Sequence, residues 1–272
     1  MKIPTFKLND GNTIPVLGLG LWKIKEYSDF KTAFDAAIKN GYTLFDSAQV
    51  YGNEEFLAQA IKESKIERKD LYVTTKISVA NFGHKRTMKS FEKSLKNLDT
   101  DYVDLILLHF PVTVLRKKSY LALEEIKKSG RAKSIGVSNY TIKHLEELKQ
   151  YANITPAVNQ VELHVFLQQP ELIKYCTDNN IKIEAYSPLA HGKEMNNKVI
   201  EEIAKKYNKT YSQIMLRFLI EKDLILIPKS IHENRIKENV EIFDFKLGKD
   251  DMDKLESLNK NLRTCWDPTL VP

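Results

Sequence analysis

A closed (β/α)8 barrel, preceded by a small hairpin and followed by extra C-terminal helices, is the fold this sequence predicts, and three observations carry it. Short apolar or β-branched runs alternate with amphipathic stretches along the chain, the pattern of parallel strands joined by crossover helices. Several runs end in a titratable side chain: Thr43-Leu44-Phe45-Asp46, Leu71-Tyr72-Val73-Thr74-Thr75-Lys76 and Val103-Asp104-Leu105-Ile106-Leu107-Leu108-His109. Charge at the end of a buried strand is costly unless the groups face one another or a ligand, and a barrel keeps its chemistry at that end. No Pro/Ser-rich linker interrupts the 272 residues, so 1–272 reads as one domain.

The elements follow in order. Asp10-Gly11 separates 5–8 from 13–17 and predicts the N-terminal hairpin. Strands are expected near 16–19, 43–46, 71–76, 103–109, 134–137, 157–161, 181–186 and 224–227. Helices fill the intervals near 28–40, 54–64, 86–98, 117–129, 141–150, 169–179, 197–207 and 212–221. Asn40-Gly41 and Ser129-Gly130 fit helix C-termini, where glycine tolerates a left-handed backbone. Ser138 to Thr141 offers N-cap oxygens ahead of an apolar-periodic stretch. An open doubly wound sheet is the alternative, but Gly18-Leu19-Gly20 lacks the third glycine of a dinucleotide-binding turn.

Composition narrows the function classes. An apolar fraction of 42% is enough for a real core. The net charge of +6 comes from 42 basic and 36 acidic residues interspersed, with no basic stripe carrying aromatics. Nucleic-acid binding is therefore not expected, whereas the positive excess favours small anionic ligands. No apolar stretch is long enough to span a bilayer, and the start, Met1-Lys2-Ile3-Pro4, lacks an apolar signal core. A cytoplasmic monomer without membrane contact is expected. Cys176 and Cys265 have no metal-ligand spacing, so free thiols and no metal are expected.

Asp46, Tyr51, Lys76 and His109 form the candidate constellation. Taken singly, Asp46 would be a helix cap, Tyr51 a rim residue, Lys76 a surface lysine and His109 a satisfied core histidine. Their context argues otherwise. The stretch Asp46-Ser47-Ala48-Gln49-Val50-Tyr51-Gly52-Asn53-Glu54 closely resembles the aldo-keto reductase signature. Leu107-Leu108-His109-Phe110-Pro111, Gly136-Val137-Ser138-Asn139-Tyr140, Ala157-Val158-Asn159-Gln160-Val161-Glu162 and Glu184-Ala185-Tyr186-Ser187-Pro188-Leu189 are similar to segments of that family in the same order. Ile227-Pro228-Lys229-Ser230-Ile231-His232-Glu233-Asn234-Arg235-Ile236-Lys237-Glu238-Asn239 resembles its cofactor-phosphate segment.

The resemblance implies reduction of small aldehydes and ketones by hydride transfer from NADPH, with Tyr51 as proton donor. A phenol has an ordinary pKa of about 10, and a neighbouring cation lowers it. Lys76 is expected to be that cation, Asp46 its partner, and His109 a hydrogen-bond donor orienting the substrate oxygen. Ser138, Asn139 and Gln160 would meet the nicotinamide carboxamide, and Tyr186 would stack on the ring. Ser187 and Leu189 would line the pyrophosphate channel, with the backbone of Gly20, Leu21 and Trp22 near the ribose and Asp46 close by. Lys229, Ser230 and Arg235 would take the 2′-phosphate at a helix N-terminus near Glu233, and Glu238 and Asn239 the adenine edge. For Arg235 alone an ordinary basic loop is the competing reading, and for Trp22, which together with Tyr51 and His109 would contact substrate, simple packing. A cofactor-sensing regulatory subunit on the same barrel is the alternative function.

Some segments depart from the family pattern. Ile77-Ser78-Val79-Ala80-Asn81 and Phe110 stand where many relatives carry tryptophan, and the tail beyond Trp266 is short. A shallow pocket for small dicarbonyls or aromatic aldehydes is expected. Arg116, Lys117 and Lys118 read as a basic loop able to attract acidic substrates or simply as solvated charge, and Ala190-His191-Gly192-Lys193 as a shortened strap that speeds cofactor exchange.

Overall fold

In the computed structural model, which describes residues 3–272, Thr5–Lys7 (β1) pairs antiparallel with Thr13–Pro15 (β2). Met1 and Lys2 of the polar start lie outside the described residues. Gly11 takes a φ of 87° in the turn, a conformation that glycine reaches without a Cβ penalty. Eight parallel strands follow: Gly18–Gly20 (β3), Leu44–Asp46 (β4), Tyr72–Ile77 (β5), Val103–Leu108 (β6), Ala132–Ser138 (β7), Val158–Glu162 (β8), Lys182–Tyr186 (β9) and Ile225–Ile227 (β10). Their order is sequential from β3 to β10. The circle closes where Leu226 N–H donates to the Val16 carbonyl at 2.9 Å and Gly20 N–H to the Pro228 carbonyl at 3.0 Å. A Cβ at Gly20 would sit 2.8 Å from the Ile227 carbonyl oxygen, so the seam requires glycine.

The outer helices are Tyr27–Lys39 (α1), Glu54–Ser64 (α2), His84–Asn97 (α3), Arg116–Lys128 (α4), Ile142–Lys149 (α5), Pro170–Asp178 (α6), Lys198–Tyr207 (α7) and Tyr211–Ile220 (α8). Glu233–Val240 (α9) and Lys249–Glu256 (α10) are the extra C-terminal pair. Several ends match the punctuation in the sequence. Gly41 and Gly130 have φ of 83° and 79° just past α1 and α4. Thr141 caps α5 in a reciprocal box with His144, and Thr210 caps α8 in another with Gln213.

Strand alternation sorts the apolar residues into two cores. Phe45, Val73, Ile106, Val137 and Ala185 face outward to the helices. Leu44, Tyr72, Leu105, Leu107, Val158, Ile225 and Ile227 fill the barrel interior, closed at its foot by Leu8 and Ile14 of the hairpin. Each such buried leucine or isoleucine contributes about 1.5–3 kcal/mol. Above this plug the inward positions turn polar, at Asp46, Lys76, Gln160 and Glu184. The change from apolar to polar along the same strand faces is what makes a site at the mouth. No helix among the described residues is long and apolar enough to cross a membrane.

Candidate active site

Asp46 is the last residue of β4, and Tyr51 ends the single 3-10 turn that follows (Gln49–Tyr51), closed by Gly52 at φ 68°. Two side-chain amides, half-buried Gln49 and buried Asn53, hold this loop. Gln49 Oε1 accepts from Ser78 N–H and from Asn81 Nδ2, each at 2.9 Å, while its Nε2 donates to the Ser90 carbonyl and Ser94 Oγ. Asn53 Nδ2 donates to the carbonyls of Leu21 and Ile24, and its Oδ1 accepts from Ser47 Oγ. The loop carrying Tyr51 is thus tied to the β3 loop and to α3, an arrangement that preorganises the phenol.

The four candidates meet. Lys76 Nζ donates to Asp46 Oδ1 at 2.5 Å, to the Ser47 carbonyl at 2.9 Å and to Tyr51 OH at 3.2 Å. Three acceptors use all three ammonium hydrogens, which is what a wholly buried lysine requires. The Tyr51 and His109 rings meet edge to face with centroids 5.8 Å apart. Burial is the largest single influence and would lower the Lys76 pKa, but the charge and hydrogen bonds of Asp46 and Tyr51 together outweigh it and hold the ammonium above its ordinary value. Burial, reinforced by Lys76, takes His109 down to about 3, so its imidazole is neutral at physiological pH. Tyr51 corrects the sequence-based expectation. Burial raises its pKa, and the opposing pull of Lys76 is not enough to bring the phenol below its ordinary value. Tyr51 is therefore fully protonated, the form a proton donor needs.

A second arc rises from β7, β8 and β9. Ser138 Oγ donates to the Gln160 carbonyl at 2.9 Å and accepts from Asn139 Nδ2 at 3.1 Å. Asn139 Nδ2 also donates to the His109 carbonyl, and its Oδ1 accepts from Tyr186 OH at 2.7 Å. Gln160 Nε2 donates to Asp46 Oδ2 at 2.8 Å, which links this arc to the first. Asn139 and Ser187 sit at strand ends with φ of 65° and 50°, sparsely populated for residues with a Cβ and common at functional sites. Tyr186 is half-buried at the end of β9, its hydroxyl tied to Asn139.

The third group lies after β10. Lys229 and Arg235 are exposed and, among the described residues, take no carboxylate partner. Ser230 Oγ accepts from His232 N–H at 3.0 Å, and α9 begins at Glu233 with no side-chain cap, so its first N–H groups are open to an anion. Two cations, a hydroxyl and a free helix start fit a phosphate. Glu238 is partly committed, accepting from Thr210 Oγ1 at 2.5 Å, and Asn239 is buried.

Around the rim, Trp22 is 39% exposed and meets the His191 ring at 5.6 Å, and Leu21 N–H is bound to the Asp46 carbonyl. Ser187 Oγ lies 2.9 Å from His191 Nε2, and Leu189 is half-buried beside it in the short strap. Phe110 packs edge-on against Trp266, which is 81% exposed. Arg116 is not the loop cation the sequence suggested. It opens α4, is 2% exposed, and donates to the carbonyls of Pro111 and Pro272 while paired with Glu147. It ties down the tail and is not free to steer an acidic substrate.

Glu162 and Glu184 stand inside family-like segments but have no part in the site expected from sequence. Both are wholly buried on inward faces near the mouth. Strand alternation was the available signal, since Glu184 shares its face with Tyr186, and Glu162 with Gln160. Gln49 and Asn53 carried none, because their partners come from distant segments.

The comparisons agree with this geometry. The model of the Aldo/keto reductase family matches residues 16–260. The chain is 44% identical over 264 residues to the glyoxal reductase of Bacillus subtilis, covering 97% of this chain and 96% of that protein. It superposes with a TM-score of 0.94 on the crystal structure of an aldo-keto reductase from a deep-sea metagenome library, at 41% identity, covering 98% of this chain and 99% of that one. A Bombyx mori aldo-keto reductase solved in complex with NADP superposes with a TM-score of 0.92 at 32% identity, covering 97% and 95%. On the barrel, the Asp46–Tyr51–Lys76–His109 cluster and these likenesses together, the chain belongs to the aldo/keto reductase family.

Proposed function

We propose that this protein reduces small aldehydes and ketones to alcohols at the expense of NADPH, with dicarbonyls and aromatic aldehydes as its substrate class. One observation carries the reading: a single buried ammonium, Lys76, bonds the Asp46 carboxylate and the Tyr51 hydroxyl together at the mouth of the barrel. The glyoxal reductase of Bacillus subtilis and the NADP-bound Bombyx mori enzyme support it as relatives.

A bound nicotinamide supplies the hydride. Negative charge then builds on the carbonyl oxygen, and the residues at the mouth answer it. Tyr51, held protonated by burial, releases its proton to that oxygen, and the phenolate left behind is stabilised by Lys76 at 3.2 Å. Neutral His109, whose ring nitrogens have no hydrogen-bond partner among the described residues, offers an N–H to the same oxygen, which fixes the approach of the substrate. Asp46 keeps Lys76 charged in a site where burial would otherwise discharge it. Phe110 and Trp266 form an aromatic edge at the rim, suited to the ring of an aromatic aldehyde.

Replacing Tyr51→Phe removes the proton donor and leaves the ring in place. Steady-state NADPH oxidation with glyoxal-type and aromatic aldehydes should fall about 100- to 10,000-fold, while NADPH still quenches protein fluorescence. Full turnover in this variant would refute the assignment. Arg235→Ala should raise the KM for NADPH about 10- to 100-fold, the worth of a charge-assisted hydrogen bond, with kcat and the KM for NADH little changed. Equal losses for both cofactors would remove Arg235 from the phosphate site.

A further inference from the structure

Glu184 is a buried carboxyl group in the barrel interior that the reduction chemistry above does not use. It stands on β9 in register with Gln160 on β8 and has no exposed surface. Its Oε2 accepts from Gln160 Nε2 at 2.6 Å, and its Oε1 has no partner among the described residues. Gln160 Nε2 gives its other hydrogen to Asp46 Oδ2 at 2.8 Å. Both hydrogens of one amide are therefore taken, one by a carboxyl from each side.

This arrangement decides which end of the Gln160 amide faces a ligand. A primary amide has two donors and one acceptor oxygen. With both donors held inside the barrel, only the carbonyl is left for the mouth. Its neighbours are already occupied, since Asn139 Oδ1 accepts from Tyr186 and Ser138 Oγ accepts from Asn139. Among Ser138, Asn139 and Gln160, the Gln160 carbonyl is the side-chain acceptor with no donor of its own.

The geometry points to Glu184 as a positioning residue: acting with Asp46, it locks the Gln160 amide so that the Gln160 carbonyl accepts the N–H of the nicotinamide carboxamide. The inference rests on Gln160 being the partner of that carboxamide. Burial and then the Asp46 charge push the Glu184 pKa up to about 8, so at neutral pH the group is an uncharged acid. It can hold the amide through a carbonyl oxygen without placing a second negative charge beside the Asp46–Lys76 pair.

The test compares NADP+ with its 3-acetylpyridine analogue, in which a methyl group replaces the carboxamide NH2. Dissociation constants for the full-length protein are read from quenching of its fluorescence. The wild type should bind NADP+ about 5-fold or more tightly than the analogue, the worth of one hydrogen bond. Glu184→Leu keeps volume and removes the acceptor. It should weaken NADP+ binding about 5- to 10-fold and the analogue less than about 2-fold, erasing the discrimination. Glu184→Gln, the same shape as the uncharged acid, should stay within about 2-fold of wild type for both cofactors. If the leucine variant does not fold, Glu184→Thr, too short to reach Gln160, carries the same expectation. Equal losses for the two cofactors, or discrimination retained without Glu184, would overturn the role of Glu184 and leave that of Gln160 standing. Equal affinity of the wild type for both cofactors would remove Gln160 as the carboxamide partner, and this inference with it.

Discussion

Glu162 and Glu184 stand on neighbouring strands, both without exposed surface, yet one is held as an anion and the other as an acid. Glu162 accepts from Thr264 N–H at 2.6 Å, from Thr264 Oγ1 at 2.5 Å and from Cys265 N–H at 3.2 Å, with His164 Nε2 at 3.4 Å. Burial works against its charge, but these bonds win and take the pKa down to about 2. Glu184 has one donor, Gln160, and faces the negative charge of Asp46, so burial dominates and its pKa rises to about 8. Neither carboxyl reaches solvent, but protein surrounds Glu184 more completely than Glu162. Stronger desolvation, the Asp46 charge and a single donor make Glu184 an acid, whereas several donors keep Glu162 an anion. The rim therefore holds a permanent anion on which the tail docks, and the interior holds a neutral acid beside the charged pair of the active site.

The largest effect expected from breaking this contrast is at the rim. Glu162→Ala deprives Thr264 and Cys265 of their acceptor and should lower stability by about 2–3 kcal/mol, a fall in Tm of roughly 5–10 °C. The KM for carbonyl substrates should rise as Trp266 loses its seat, and an unchanged Tm would show that the tail is held elsewhere.

The interior group acts through pH with the opposite sign. The folded pKa of Glu184 lies above its ordinary 4.5, so the stability it contributes is complete below pH 4.5 and is lost as pH rises through about 8. Glu162 is depressed, so its contribution is complete above 4.5 and is lost as pH falls towards about 2. Denaturant titrations across pH should show Glu184→Gln flattening the decline between pH 5 and 8 while leaving the acid limb intact. A decline that persists in this variant would mean another group titrates there. The smallest effect belongs to Thr264→Val, which deletes one of the Glu162 donors. It should lower stability by about 1 kcal/mol and move the acid limb to higher pH, both measurable by the same titrations.

The barrel and the Asp46–Tyr51–Lys76–His109 cluster were legible in the amino-acid chain because their signals are local. Alternation along a strand, glycines at 41 and 130, and the threonine at 141 act within a few residues of themselves. A residue that ends an apolar strand must face the mouth whatever its neighbours are, which is why Asp46, Lys76 and His109 could be placed in advance. The motif order then brought Tyr51 and Arg235 with them.

Arg116, Glu162, Glu184 and the Tyr51 pKa were decided only by tertiary structure. Arg116 looks like one of three loop cations until the carbonyl of Pro272, 156 positions away, takes its guanidinium. Glu162 meets Thr264 across 102 positions, and Asp46 meets Gln160 across 114. Periodicity and capping depend on adjacent residues and survive in a one-dimensional reading. Desolvation and charge interactions sum over every group brought near in space, so the protonation state of a buried side chain exists only once the barrel has closed.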